Sequence, residues 1–169
     1  MTVSTPPPRI YLLRHAKSGW AAPGQRDFDR TLNEQGFDEA ARVADLAANR
    51  EYRPALVISS AAARCRQTTE AIRCVFPVGV EFRFADSLYN SGADAYLDML
   101  KAQAGAGSVM LVGHNPAIEE TLEILIGAEA AHTAISEGYP TAGLAVLDGI
   151  GQPSSSGNKS WTLVDFLEP

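Results

Sequence analysis

Histidine, cysteine and positive charge are all scarce in this 169-residue chain, and each scarcity excludes something. Fourteen lysines and arginines face twenty aspartates and glutamates, for a formal net charge of −6. A general nucleic-acid or membrane-surface binder is therefore not expected. A pocket for one anion stays open, because it needs only two or three local cations. The two cysteines, Cys65 and Cys74, fall in one expected helix. The helical rise separates them by about 13 Å, too far for a disulfide. They also lack metal-ligand spacing, so reduced thiols in a cytoplasmic protein are expected, with no metal site and no cofactor. No apolar stretch approaches the length of a membrane-spanning helix. The opening MTVSTPPPR has neither the apolar segment nor the basic cluster of a signal peptide. Residues 1–8 read as a flexible lead and 9–169 as a single domain.

What is present is an alternation of two element types. Short apolar runs at 9–13, 54–60, 80–84 and 108–112 suit strands, and the second is uninterrupted enough to be buried on both faces. Helical periodicity runs over 33–50 with Asn33 as its cap, over 61–76 up to Pro77, over 93–103, and from Pro116 to about 126, closed by Gly127. Two further strands, 143–148 and 161–167, flank a loop at 149–160 that reads as mobile. The AEAAHTAIS stretch carrying His132 reads as a surface segment. Repeated strand–helix units imply an α/β fold. The expected architecture is a three-layer α/β/α sandwich with a mostly parallel sheet and an antiparallel edge. Ligands of such open sheets bind where the strands end.

Three strand ends stand out. The first delivers Arg14 and His15 (IYLLRHAKS), the second Ser59, Ser60 and then Arg64 (SSAAARCRQT), and the fourth Gly113, His114 and Asn115 (VGHNP). A lone histidine after a strand is ordinarily a loop residue, and a lone helical arginine is ordinarily solvated. Two of only three histidines meeting two arginines on one rim is a different matter. The arginine fork matches phosphate oxygens. A histidine among such donors can take a phosphoryl group covalently, and a second can stabilise the transferring oxygens. Metal binding by His15 and His114 is the competing reading, and it lacks a third ligand at recognisable spacing.

The R-H-A-K-S, S-S-x-x-x-R-C-R-Q-T and V-G-H-N-P stretches together resemble the histidine phosphatase superfamily, whose fold is also called phosphoglycerate mutase-like. The segment D-F-D-R-T-L-N-E-Q-G (27–36) and the short length resemble its small SixA-type phosphohistidine phosphatase branch. The resemblance implies that His15 is the phosphate acceptor, that Arg14 and Arg64 clamp the phosphate and that His114 completes the pocket. Lys17 and Ser18 become candidates for substrate contact. Ala16, Lys17 and Ala21 depart from the mutase pattern, which favours plain hydrolysis. Asn115 stands where the acid-phosphatase branch has an aspartate donor. Asp86 (FADSLYN) is near where many members carry a donor carboxylate, and it reads equally well as a loop cap. Glu119 and Glu120 read as a solvated helix face. The expected activity is a metal-independent phosphatase acting on a phosphorylated protein, such as a histidine phosphotransfer domain. The alternatives are a small-molecule phosphomonoesterase and a non-catalytic phosphate-binding module.

Overall fold

Apolar residues alternate along the strands and sort the core into two halves, one on each side of a six-stranded sheet. The computed structural model describes residues 7–103, 105–150 and 160–169. Most of the N-terminal lead and the centre of the 149–160 loop lie outside these residues. The strands are β1 (Arg9–Arg14), β2 (Leu56–Ser60), β3 (Glu81–Ala85), β4 (Val109–Gly113), β5 (Leu144–Ile150) and β6 (Ser160–Leu167), in the order β3-β2-β4-β1-β5-β6. The first four are mutually parallel, and β5 and β6 run antiparallel at one side. The expected three-layer α/β/α architecture is the observed one.

Against one face pack α1 (Glu34–Asn49) and α2 (Ala63–Val75), covering Tyr11, Leu13, Val57, Met110 and Val112 with Val43, Ala44, Cys65 and Ile72. Against the other pack α3 (Ala93–Lys101), α4 (Ala117–Ile126) and α5 (Ala128–Ala134), covering Ile10, Leu12, Ile58 and Leu111 with Tyr96, Leu100, Ile118 and Leu122. Covered on both faces, β2 (LVISS) and β4 (VMLVG) are buried throughout. Each wholly buried aliphatic side chain there contributes roughly 1.5–3 kcal/mol.

Several local signals act as read. Asn33 caps α1, its side chain accepting from Gly36 N at 2.8 Å. Gly127, at φ 92°, ends α4. The 128–134 segment lies at the surface as read, and it forms a two-turn helix in which Ala131 alone is buried and His132 is exposed. Among the described residues, no helix is long and apolar enough to cross a membrane.

The register decides where the chemistry sits. Arg14 is paired with Gly113 across β1 and β4, and Ser59 with Val112 across β2 and β4. The three strands therefore end level. His15 and His114, each one residue further on, come side by side.

Candidate active site

The turn after β1 is tied down at nearly every backbone donor. His15 N–H bonds Gly113 O (3.0 Å), and Ala142 N–H bonds His15 O (3.2 Å). Ala16 N–H bonds Thr68 Oγ1 of α2 (3.0 Å), and Lys17 N–H bonds the buried Glu39 carboxylate of α1 (3.0 Å). Gly36 lies so close to Lys17 that a Cβ there would overlap the Lys17 carbonyl. After β4, His114 N–H bonds the buried Tyr96 hydroxyl (3.0 Å), which itself donates to Leu88 O (3.0 Å). Gly113 gives that phenol its room, because a Cβ would overlap it.

Their side chains meet in one open pocket of about 480 Å³. His15 is 8% exposed, and its ring centroid is 5.3 Å from that of His114. His15 Nδ1 lies 2.7 Å from Ala16 O, and a carbonyl only accepts, so Nδ1 carries the proton. The lone pair is therefore on Nε2, which faces Arg64 Nε at 3.3 Å. Arg64 Nη2 lies 3.3 Å from His114 Nδ1, so that nitrogen accepts and His114 donates from Nε2 to Ser60 Oγ (2.8 Å). Burial pushes the His15 pKa down to about 3, against the pull of its bond to Ala16, with the fields of His114, Arg64 and Arg14 adding to the fall. Burial and the Arg64 field hold His114 at about 4. Both rings are neutral near pH 7.

Arg14 donates from Nη1 to Tyr139 O (2.6 Å), while its buried Nε has no partner. An orphaned guanidinium N–H is costly unless an acceptor arrives. Cys65, beside His114, is pushed up to about 12 by burial and is an inert thiol. Arg66, two residues further along α2, bonds Ala61 O and covers the Phe84 ring at 4.1 Å, and it does not line the pocket.

The pocket is bordered by Arg14, His15, Lys17, Ser18, Arg64 and His114, six of the seven positions picked from the sequence. Lys17 Nζ is held by Gln35 (3.0 Å), and Ser18 Oγ accepts from Arg30. Asp86 is the one left outside. Itself exposed, it opens a 3₁₀ turn (86–88) after the edge strand β3, which β2 and β4 separate from β1, and it does not line the pocket.

Sequence reasoning missed the opposite wall. A 3₁₀ turn at 27–29 carries Asp27, whose Oδ2 accepts from Arg64 Nη2 and Tyr89 Oη, both at 3.0 Å. Its Oδ1 accepts from Arg30 Nε (3.1 Å) and Nη2 (3.0 Å), and its backbone carbonyl from Arg64 Nη1 (2.8 Å). Partial burial opposes ionisation of Asp27, but the donors from Arg30, Tyr89 and Arg64 outweigh it and hold the carboxyl at about 2. It is the only carboxylate among the described residues that line the pocket, and it is no proton donor at neutral pH. The signal is the i, i+3 pair Asp27–Arg30 inside D-F-D-R, a stretch that the sequence reading uses for the SixA-type resemblance without assigning Asp27 a place in the pocket.

This arrangement presents a neutral nucleophilic nitrogen beneath two guanidinium groups, with no protonated carboxyl beside it. Residues 10–89 match the family model for the histidine phosphatase superfamily, branch 1. The chain is 54% identical to a protein of Agrobacterium tumefaciens assigned as phosphohistidine phosphatase SixA, whose crystal structure superposes at a TM-score of 0.88 over 96% of this chain and 99% of that one. A similarly assigned structure from Nakamurella multipartitia is 26% identical, with a TM-score of 0.75 over 97% and 98% of the two chains. An uncharacterised protein of Mycobacterium tuberculosis is 33% identical over 141 residues, 80% of this chain and 85% of the relative.

Proposed function

The chain belongs to the histidine phosphatase superfamily, as a phosphatase of the SixA type, and from that premise we propose that it dephosphorylates protein phosphohistidine without a metal ion. The observation carrying this reading is the fixed tautomer of His15: Nδ1–H is held by Ala16 O, and Nε2 is left unprotonated, accepting from Arg64 Nε.

Arg14, with its orphaned Nε, and Arg64 bind the phosphoryl oxygens. They bring positive charge to the reacting group and leave no role that a dication must fill. His15 Nε2 attacks phosphorus in line as the bond to the leaving group breaks. Phospho-His15 retains its Nδ1–H and becomes cationic on the ring, a state the Ala16 carbonyl stabilises. Water then attacks phosphorus as the P–Nε2 bond breaks, its proton passing to a phosphoryl oxygen, and dihydrogen phosphate leaves neutral His15 with Nδ1–H still in place. His114 is neutral before substrate arrives. To donate to a phosphoryl oxygen it must take up a proton on Nδ1, which the incoming dianion favours.

Leaving-group chemistry separates protein phosphohistidine from phosphate esters. An alkoxide needs a positioned acid, worth about 10²–10⁴-fold. Asp27 is ionised, and Asn115 offers no acidic proton. An imidazole that enters protonated leaves neutral and needs no enzyme acid. That contrast favours a phosphoramidate substrate.

The test is a side-by-side panel of a phosphorylated histidine phosphotransfer domain, phosphoimidazole and sugar or alkyl phosphates, with brief labelling and acid-free workup. We expect label on His15, preference for the two phosphoramidates, and activity that survives excess EDTA. Label on another residue overturns the nucleophile. A preference for sugar phosphates overturns the substrate class. Loss of activity on chelation, restored by a divalent ion, overturns metal independence.

A further inference from the structure

The loop-side wall holds a hydrogen-bond arrangement that phosphate binding does not explain. All four lone-pair directions of the Asp27 carboxylate are taken, two by Arg30, one by Arg64 and one by the Tyr89 hydroxyl. The carboxylate is saturated and cannot itself take a ligand. Tyr89 is different, because its single proton is committed to Asp27 while its oxygen keeps lone pairs. The ring is held edge-on to Phe28 (5.0 Å) and to His114 (5.6 Å), and it lines the pocket. It thus presents an acceptor at the pocket wall and withholds a donor. For an ester oxygen this is the wrong polarity. For a leaving group that carries an N–H it is the right one.

We propose that Tyr89, oriented by Asp27, receives the leaving imidazole of phosphohistidine, its hydroxyl oxygen accepting the N–H on the ring nitrogen distal to phosphorus. The proposal rests on the phosphohistidine reading above and names the residue that recognises this class of substrate. The reactive form of an N-phosphoimidazole is protonated at the distal nitrogen, and an acceptor backed by a carboxylate stabilises that cation. The Asp27 charge reaches it through one shared proton. In the transfer, the P–N bond breaks as the bond from His15 Nε2 to phosphorus forms. The P–N electron pair returns to the imidazole, which becomes neutral, keeps its distal proton and stays bonded to Tyr89 until it leaves. No proton changes hands in that step.

The contacts bound the span from His15 Nε2 to Tyr89: it is no longer than a path of a 3.3 Å contact, one edge of the Arg64 guanidinium and the two 3.0 Å bonds through Asp27 Oδ2, and the His114 ring stands between the two rings at 5.3 Å and 5.6 Å. Within that bound a substrate places a reacting contact of about 3–3.5 Å, a P–N bond and the width of an imidazole. Raising of the Tyr89 pKa by desolvation and by its bond to Asp27 keeps the phenol protonated, so its proton stays on the Asp27 side.

The experiment compares Tyr89→Phe with the wild-type chain on three substrates. These are phosphoimidazole, which has a distal N–H; phosphoramidate itself, a P–N bond with no second ring nitrogen; and an aryl phosphate ester. We expect kcat/KM for phosphoimidazole to fall about 10- to 100-fold, the loss of one hydrogen bond to a charged group. The other two substrates should change less than about threefold, and their rates also report that the variant is folded. An equal loss on all three, or no loss on any, overturns the proposal. Wild-type enzyme that ignores phosphoimidazole while cleaving the aryl ester would instead overturn the phosphohistidine reading, before any variant is made.

Discussion

The two walls of the pocket are built on opposite terms. One stands on level strand ends: His15 is 8% exposed, the Arg64 side chain is 6% exposed, and the flanking backbone is bonded to α1, α2 and Tyr96. The other consists of Asp27, Arg30 and Tyr89 on irregular chain outside the sheet, and the Asp27 side chain is 52% exposed. The difference is one of task. Nucleophilic attack needs a fixed tautomer and a fixed distance, which a packed scaffold supplies. Recognition of a leaving group tolerates adjustment, which exposed loops allow.

The largest effect therefore belongs to the strand-end wall. His15→Ala should lower turnover at least about 10³-fold and abolish the trapped label, measured by rapid-quench phosphate release. Cooperative unfolding should survive, because the residue lies past the end of β1. A loss as large from Arg30→Ala, on the other wall, would break the comparison.

Legibility in the sequence follows the same division. Strand ends announce themselves, because a short uninterrupted apolar run that stops at Arg14–His15 or Gly113–His114 is a local pattern meeting polar chemistry. The helices on both faces, the caps at Asn33 and Gly127, and the antiparallel pairing of β5 and β6 were legible for similar reasons. The loop wall has no period. Tyr89 meets Asp27 across 62 residues through two short turns, and nothing in either segment encodes that meeting. A search of the FADSLYN stretch for a carboxylate picks Asp86, whereas the residues that this stretch sends to the pocket are Tyr89 and Asn90. The α5 helix was missed because seven residues give too little pattern to separate a helix from a surface loop.

Acid should weaken the two walls in sequence. His15 and His114 have folded pKa values of about 3 and about 4, below the ordinary 6.5. Between these limits the unfolded chain binds protons that the native one refuses, so stability falls as pH falls. The slope is of order 1 kcal/mol per pH unit from His15, and less from the more exposed His114. Asp27, held at about 2, adds a loss only below its ordinary 3.8. Thermal melts from pH 7 to pH 4 should show a falling Tm that His15→Gln flattens. An unchanged slope in that variant would mean the ring is not held neutral.

Gly113→Ala probes the scaffold behind His114. The added methyl overlaps the Tyr96 hydroxyl that bonds His114 N–H. The expected cost is about 1–3 kcal/mol, read by denaturant unfolding, with a fall in kcat because His114 is displaced. Arg30→Ala, which removes exposed ion-pair contacts with Asp27, should cost less than about 1 kcal/mol. Equal costs would mean that the loop wall is as rigidly built as the strand ends.

The smallest effect is expected at Asp86. A carboxyl acting as proton donor to an ester would have to reach the leaving oxygen, on the far side of phosphorus from His15. Asp86 instead starts a turn beyond the edge strand, exposed, with its backbone carbonyl accepting Tyr89 N–H at 3.0 Å and its side chain outside the pocket. Asp86→Asn keeps the size of the side chain and removes only the charge and the acid. Steady-state kinetics should therefore show less than about a twofold change on phosphoimidazole and on alkyl esters alike, where a positioned acid would be worth 10²–10⁴-fold on the ester. A selective loss of ester hydrolysis would place a proton donor on the loop wall. That wall would then take part in bond breaking as well as recognition, and the division of labour between the two walls would fail.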